Sequence, residues 1–156
     1  TQTPEQLPLD TLYDRKGVLE QADKTKDDGN RCLACDTLCE ICCDVCPNRA
    51  NVQVIVPSMN NHSQILHMDG MCNECGNCGT FCPHSGRPYL DKMTLFWSEE
   101  ELKISEIKGL YFMADGKLLI RSDTGQVQAV GKEELPEDWR KFVNAVEEQY
   151  GYYIPN

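Results

Sequence analysis

Cys72-Asn-Glu-Cys75-Gly-Asn-Cys78-Gly-Thr-Phe-Cys82-Pro83 is the stretch on which the fold turns. Its four thiols are separated by two, two and three residues, and a proline follows the last. A denser run precedes it: six cysteines in the fifteen residues from Cys32 to Cys46, again followed by a proline, Pro47. All ten cysteines of the 156-residue chain lie between positions 32 and 82. Disulfide scaffolds spread their cysteines to staple distant loops, whereas thiols two residues apart are aimed by turn geometry at a common point. Clustered thiols therefore point to a metal and to a reducing, cytoplasmic setting.

The C-x2-C-x2-C-x3-C-P spacing is a ligand run of iron–sulfur proteins with two clusters. A cubane cluster presents four irons, each needing one thiolate. A tight loop reaches three of them, and the fourth cysteine of each run crosses to the other cluster. One cluster is then expected on Cys72, Cys75 and Cys78, with Cys46 crossing from the first run. The other takes Cys82 as its crossing ligand, together with Cys39, Cys42 and a third thiol. Counted back from Cys46, regular spacing demands a cysteine at 36, where Asp36 stands. Cys35 is the preferred substitute, its extra residue taken up as a bulge. Cys32 is the alternative and the Asp36 carboxylate a minor one. Cys43 directly follows Cys42, so its side chain is expected to point elsewhere as a buried or free thiol. Gly76 and Gly79 let the backbone approach the sulfur atoms. The competing reading is a zinc-bound structural or interaction module without a redox role, since C-x2-C pairs also ligate zinc.

The rest of the chain reads as surroundings for this pair. A net charge of −10, with 40% apolar and 26% charged residues, argues against binding nucleic acid or an anionic membrane surface. No stretch approaches the roughly 20 apolar residues of a membrane-spanning helix. The chain begins at Thr1, which suggests a segment of something longer. Pro4 and Pro8 mark an extended arm, and residues 11–26 have weak helical spacing interrupted by Gly17. Between the cysteine runs, Asn51–Val56 and Gln64–Met68 predict a hairpin around a turn-rich loop. His62 is expected in solvent, His67 in the core and His84 near a cluster. Residues 91–97 have strand character, and Ser98 caps a short helix. Leu110–Met113, Lys117–Arg121 and Gln126–Val130 predict an antiparallel meander turned at Asp115-Gly116 and Thr124-Gly125. Trp139, Phe142, Val143, Val146 and Tyr150 share a face of a helix that starts at Pro136, stops at Gly151 and covers the meander. No nucleophile–base constellation is present, so no catalytic residue is assigned.

Residues 32–82 resemble the bacterial-type two-[4Fe-4S] ferredoxin domain. More narrowly, Arg31-Cys-Leu-Ala-Cys35, Cys42-Cys-Asp-Val-Cys46-Pro-Asn-Arg-Ala-Asn51 and Cys72-Asn-Glu-Cys-Gly-Asn-Cys78 look like the ferredoxin segment near the C-terminus of selenate reductase subunits of the YgfK type. That family is related to dihydropyrimidine dehydrogenase and to the small subunit of glutamate synthase. The resemblance keeps both Cys32 and Cys35 plausible as ligands. It implies an electron-transfer module with two [4Fe-4S] clusters, working with flavoprotein or other oxidoreductase subunits. FAD and NAD(P)H are then expected on a partner or a missing part of the chain, since no Gly-rich dinucleotide loop occurs here. The expected architecture is α+β: an N-terminal arm and helix over 1–30, a two-[4Fe-4S] ferredoxin domain over 31–92, and a β-meander with an amphipathic helix over 93–156. A loop-rich segment of ~60 residues builds little core, so the metal-free form is expected to lose its fold.

Overall fold

The computed structural model describes residues 39–59, 62–83 and 85–154. The expectations for residues 1–30, Cys32, Cys35, Asp36 and His84 lie outside the described residues. In chain order the strands are β1 (Asn51–Ile55), β2 (Ser63–Met68), β3 (Met93–Leu95), β4 (Gly109–Phe112), β5 (Leu118–Arg121) and β6 (Val127–Val130). The helices are α1 (Ile41–Asp44), α2 (Asn77–Thr80), α3 (Pro88–Asp91), α4 (Glu99–Ile104) and α5 (Glu137–Tyr150).

All six strands form one sheet in sequence order. The predicted hairpin is present, with β1 antiparallel to β2 and Val54 opposite Gln64. The meander β4–β5–β6 is also antiparallel, turning at Gly116 and Gly125. Strand β3 joins the two parts, and it is parallel to both β2 and β4. Parallel neighbours need long crossover connections. The first crossover, residues 69–92, contains the second cysteine run; the second contains α4.

Pleating sorts the side chains onto two faces. One face carries Val54, Leu66, Met93, Leu95, Leu110 and Leu118, all buried beneath Phe142, Val143, Ala145 and Val146 of α5. The helix therefore covers the hairpin as well as the meander, because β3 fuses them into a single surface. Its apolar spacing is the predicted one, with Trp139 and Tyr150 half-buried at the rim. Gly151 is the C-cap of α5, as expected. At φ −55 it needs no glycine freedom and opens a 3-10 turn, Gly151–Tyr153, that carries two further tyrosines.

The last turns of α5 also finish the free edge of the sheet. The Gln149 side-chain amide donates to Ile55 O at 2.6 Å and accepts from Ile55 N at 2.9 Å. The Tyr150 hydroxyl donates to Gln53 O at 2.5 Å. An edge strand with unpaired backbone groups invites association, and these contacts satisfy β1 from within the chain.

The opposite face carries a second, smaller core of Phe96, Leu102 and Leu119 under α4. Ser98 caps this helix, accepting from Glu101 N at 3.1 Å. The cysteine segments lie on the same face over β1 and β2. Asn51 Nδ2 donates to Cys42 O at 3.1 Å, and Ser63 Oγ donates to Glu40 Oε1 at 2.8 Å. The hairpin strands thus have an apolar core with α5 that does not involve the thiols. The sheet and α5 bury one another directly.

Candidate metal centre

The described part of the first cysteine run and the second run share one backbone course, repeated thirty-six residues later. Cys39 precedes Glu40 in the left-handed region (φ 44), as Cys75 precedes Gly76 (φ 78). Each leads into a single helical turn, α1 or α2, with Cys42 or Cys78 at its second residue. Asp44 N donates to Glu40 O at 3.2 Å, and Thr80 N to Gly76 O at 3.0 Å. Val45 N donates to Ile41 O at 2.9 Å, and Phe81 N to Asn77 O at 3.0 Å. Cys46-Pro47 and Cys82-Pro83 follow, and each is succeeded by another residue of positive φ, Arg49 (53) or Ser85 (55). The same offset carries Cys72 onto position 36, the aspartate noted in the sequence.

A non-glycine residue in the left-handed region is disfavoured by ~1 kcal/mol. Gly76 avoids that cost. Glu40 offsets it through its side chain, which accepts from Ser63 Oγ and from Gln53 Nε2 on the hairpin. The first half is thus tied to the sheet by Glu40 and Asn51.

The sulfur atoms are addressed by backbone N–H groups in the same pattern. Ala50 N donates to Cys46 Sγ at 3.2 Å, and Gly86 N to Cys82 Sγ at 3.3 Å. Glu74 N donates to Cys72 Sγ at 3.3 Å. Such bonds favour the thiolate, the form that ligates metal. α1 packs against α2 and brings the runs together. The thiols of Cys46 and Cys78 stand close enough to Cys72 to disfavour its negative charge. With burial as the larger cause, they push its thiol upward.

Cys43 is a free thiol, as expected, and its side chain hydrogen-bonds that of Cys42. That bond is the largest cause lowering Cys42 to about 7, against burial and with help from Lys92. Cys43 is pushed far upward by the same bond, by burial and by its negative neighbours. Cys42 is therefore the more readily ionised sulfur of the pair.

Cys78 is buried, Cys39, Cys42, Cys46, Cys72 and Cys82 are half-buried, and Cys75 is exposed. Cys46 and Cys78, two of the residues expected to share a cluster with Cys72, act on its thiol. Among the described residues, no three His, Cys, Asp or Glu side chains converge on a position for a single metal ion. His62 is exposed, as expected. His67 is buried at 2% exposure, with Nδ1 3.0 Å from Thr94 Oγ1. Burial holds its imidazole down to about 4.

The sequence reading missed three contributors: Glu40, Asn51 and Lys92. Glu40 and Asn51 were legible only as residues flanking the first run. Lys92 carried no signal, because its position on the cysteine face follows from strand register.

Comparison with known proteins places the chain alongside a piece of a larger protein. It is 42% identical, over 70% of its own length, to "Putative oxidoreductase YgfK" of Escherichia coli strain K12, and equally to the protein of that name from strain O157:H7. The chain spans only 11% of the length of these curated relatives. No family model matches it, and no solved structure matches it. Among the described residues, no helix is long and apolar enough to cross a membrane. The comparisons relate the chain to a segment of an oxidoreductase.

Proposed function

We propose that the chain is an electron-transfer segment that holds two [4Fe-4S] clusters within a larger oxidoreductase. The observation that carries the reading is the doubled cysteine half, with its sulfur-directed N–H groups and with Cys46 drawn beside Cys72 and Cys78. A thiol of one run standing at the other run is what crossed ligation requires. The donor set also fits: soft thiolates, backbone N–H donors on three sulfurs, and partial burial. Cys72, Cys75, Cys78 and Cys46 would hold one cluster. Cys39, Cys42 and Cys82 would hold the other, with Cys35, Cys32 or Asp36 completing it.

The clusters would supply one-electron storage. The chain's own residues would position the sulfurs, donate hydrogen bonds to them and limit water. No residue here is assigned to chemistry on an organic substrate. The relationship to a segment of an oxidoreductase supports a redox role within a larger protein; the flavin- or pyridine-nucleotide-linked donor is the one the sequence resemblance implies.

Anaerobic purification followed by metal analysis tests the reading. Brown protein with about eight irons, two clusters of four, is the expected result. Colourless protein with stoichiometric zinc would replace it with a structural zinc module.

A further inference from the structure

We propose that Phe81 anchors a docking surface beside Cys75, on which the remainder of the larger oxidoreductase seats an uncharged, apolar recess next to its own one-electron redox group. The proposal rests on the iron–sulfur reading above. It names the side on which the site of Cys46, Cys72, Cys75 and Cys78 meets its partner.

The surface is built on one short turn. Cys75 leads into α2 and Phe81 follows it, and between them Thr80 N donates to Gly76 O at 3.0 Å. Gly76 and Thr80 are thereby held within one helical pitch of ~5.4 Å. Cys75 is exposed, and Phe81 is 58% exposed. Phe81 belongs to neither apolar core, and no ring lies against it among the described residues. Asn73, Asn77 and Thr80 are exposed around it. Two of them turn a polar group back to the chain: Cys75 N donates to Asn73 Oδ1 at 3.3 Å, and Thr80 Oγ1 donates to Gly76 O at 3.2 Å.

A single exposed apolar side chain is ordinary. The contrast with the first half marks this one. At the thirty-six-residue offset Cys39 stands for Cys75 and Val45 for Phe81, and both are half-buried. Glu40 and Asp44 stand for Gly76 and Thr80, so the first turn is acidic where the second is uncharged. From Cys72 to Arg87 the charged residues are Glu74 and Arg87 alone, a balance of zero in a chain of net −10. The centres of protein interfaces are depleted of charge and enriched in aromatic residues. The other strongly exposed apolar side chains lack this setting. Tyr152 packs on Tyr150 and Tyr153, and Ile104 ends a helix that carries Glu99, Glu100, Glu101 and Lys103.

Charge and length select the occupant. A second copy would bring together two chains of net −10. A basic partner would find its complement on the acidic surface elsewhere. An uncharged apolar recess suits Phe81 and its amide neighbours. The chain spans 11% of the length of its relatives, so a far larger polypeptide is at hand to supply that recess. One electron crosses the interface between donor and acceptor, with no bond made or broken.

Photo-cross-linking in the native, iron-loaded protein tests the proposal, with p-benzoylphenylalanine placed in turn at positions 81, 104 and 152. Position 81 is expected to cross-link a peptide of the oxidoreductase outside this chain, in a part that binds a redox cofactor. Positions 104 and 152 are not. In the same protein Phe81→Ser should slow electron exchange with that cofactor about tenfold, the loss of one interface hot spot. Phe81→Tyr keeps the ring and should preserve the rate. Iron content and oxidation by ferricyanide should be unchanged in both, because a small ion needs no docking surface. The proposal is overturned by no cross-link from position 81, or by one only to a second copy or to a polypeptide without a redox cofactor. Equal cross-linking of the same peptide from positions 104 or 152, or an unchanged exchange rate in Phe81→Ser, overturns it too. Loss of iron from Phe81→Ser, or equal slowing with ferricyanide, would make the residue structural and likewise overturn it. A wild-type protein without iron would count against the iron–sulfur reading itself, and the two failures are thereby distinguished.

Discussion

Replacing Gly70 by alanine should destabilise the protein through one identifiable contact, and that contact holds the approach to the second cysteine run. A methyl group at Gly70 would lie 2.3 Å from Trp97 Cε3, 2.5 Å from Cζ3 and 2.7 Å from Cδ2. Favourable carbon contacts begin near ~3.5 Å, so the ring or the Asp69–Met71 turn must shift by roughly 1 Å. The obstacle is a rigid ring in a half-buried site, not the end of a flexible side chain. Overpacking of this kind costs about 1–3 kcal/mol. For a chain of this size each kcal/mol corresponds to about 2–4 °C in Tm, so a fall of several degrees is expected. The assay is thermal unfolding of the anaerobic, metal-loaded protein by circular dichroism, with iron content measured in parallel. A double-mutant cycle isolates the contact. In a Trp97→Leu background the added methyl meets a smaller, flexible side chain, and its cost should drop below ~0.5 kcal/mol, leaving a coupling of about 1–2 kcal/mol. On the proposed iron–sulfur reading, iron should be lost from the second half first, since the strained turn leads directly into Cys72. Equal destabilisation in both backgrounds, or a neutral Gly70→Ala, would refute the reasoning.

Phe142→Ala removes a ring that is 1% exposed at the centre of the α5 face and should cost about 3–5 kcal/mol in denaturant unfolding. Ser98→Ala leaves Glu101 N without its cap and should cost ~1 kcal/mol, readable as increased amide exchange in α4 alone. His67 has a depressed value of about 4 against an ordinary 6.5, so the unfolded chain takes up a proton that the folded chain refuses. Its contribution is complete above the unfolded value and is lost as pH falls towards 4, by up to about 1.4 kcal/mol per pH unit. Its ring resonances should accordingly show no inflection near pH 6.5, which nuclear magnetic resonance checks directly. Removing iron with a chelator should expose the amides of residues 39–50 and 72–91 to hydrogen exchange. The strands and α5 should stay protected, and uniform loss of protection would show that the apolar core under α5 is insufficient.

Much of this architecture was open to reading from local chemistry. The hairpin followed from β-branched alternation, and the meander from Asp115-Gly116 and Thr124-Gly125. The long helix followed from apolar residues at helical spacing, and the short one from the Ser98 cap. Each signal lies within a dozen residues.

The thiol types, their spacing and the two prolines were determined by the sequence alone, because ligand chemistry and turn geometry are local properties. Strand order was not. Parallel pairing of β3 with β2 and β4 depends on crossovers whose return point is set by packing far along the chain. That pairing merged the hairpin and meander beneath one helix and put the cysteine halves on the opposite face. It also lined up Asn51, His67 and Thr94 on one face, a row that exists only once three strands separated in sequence lie side by side.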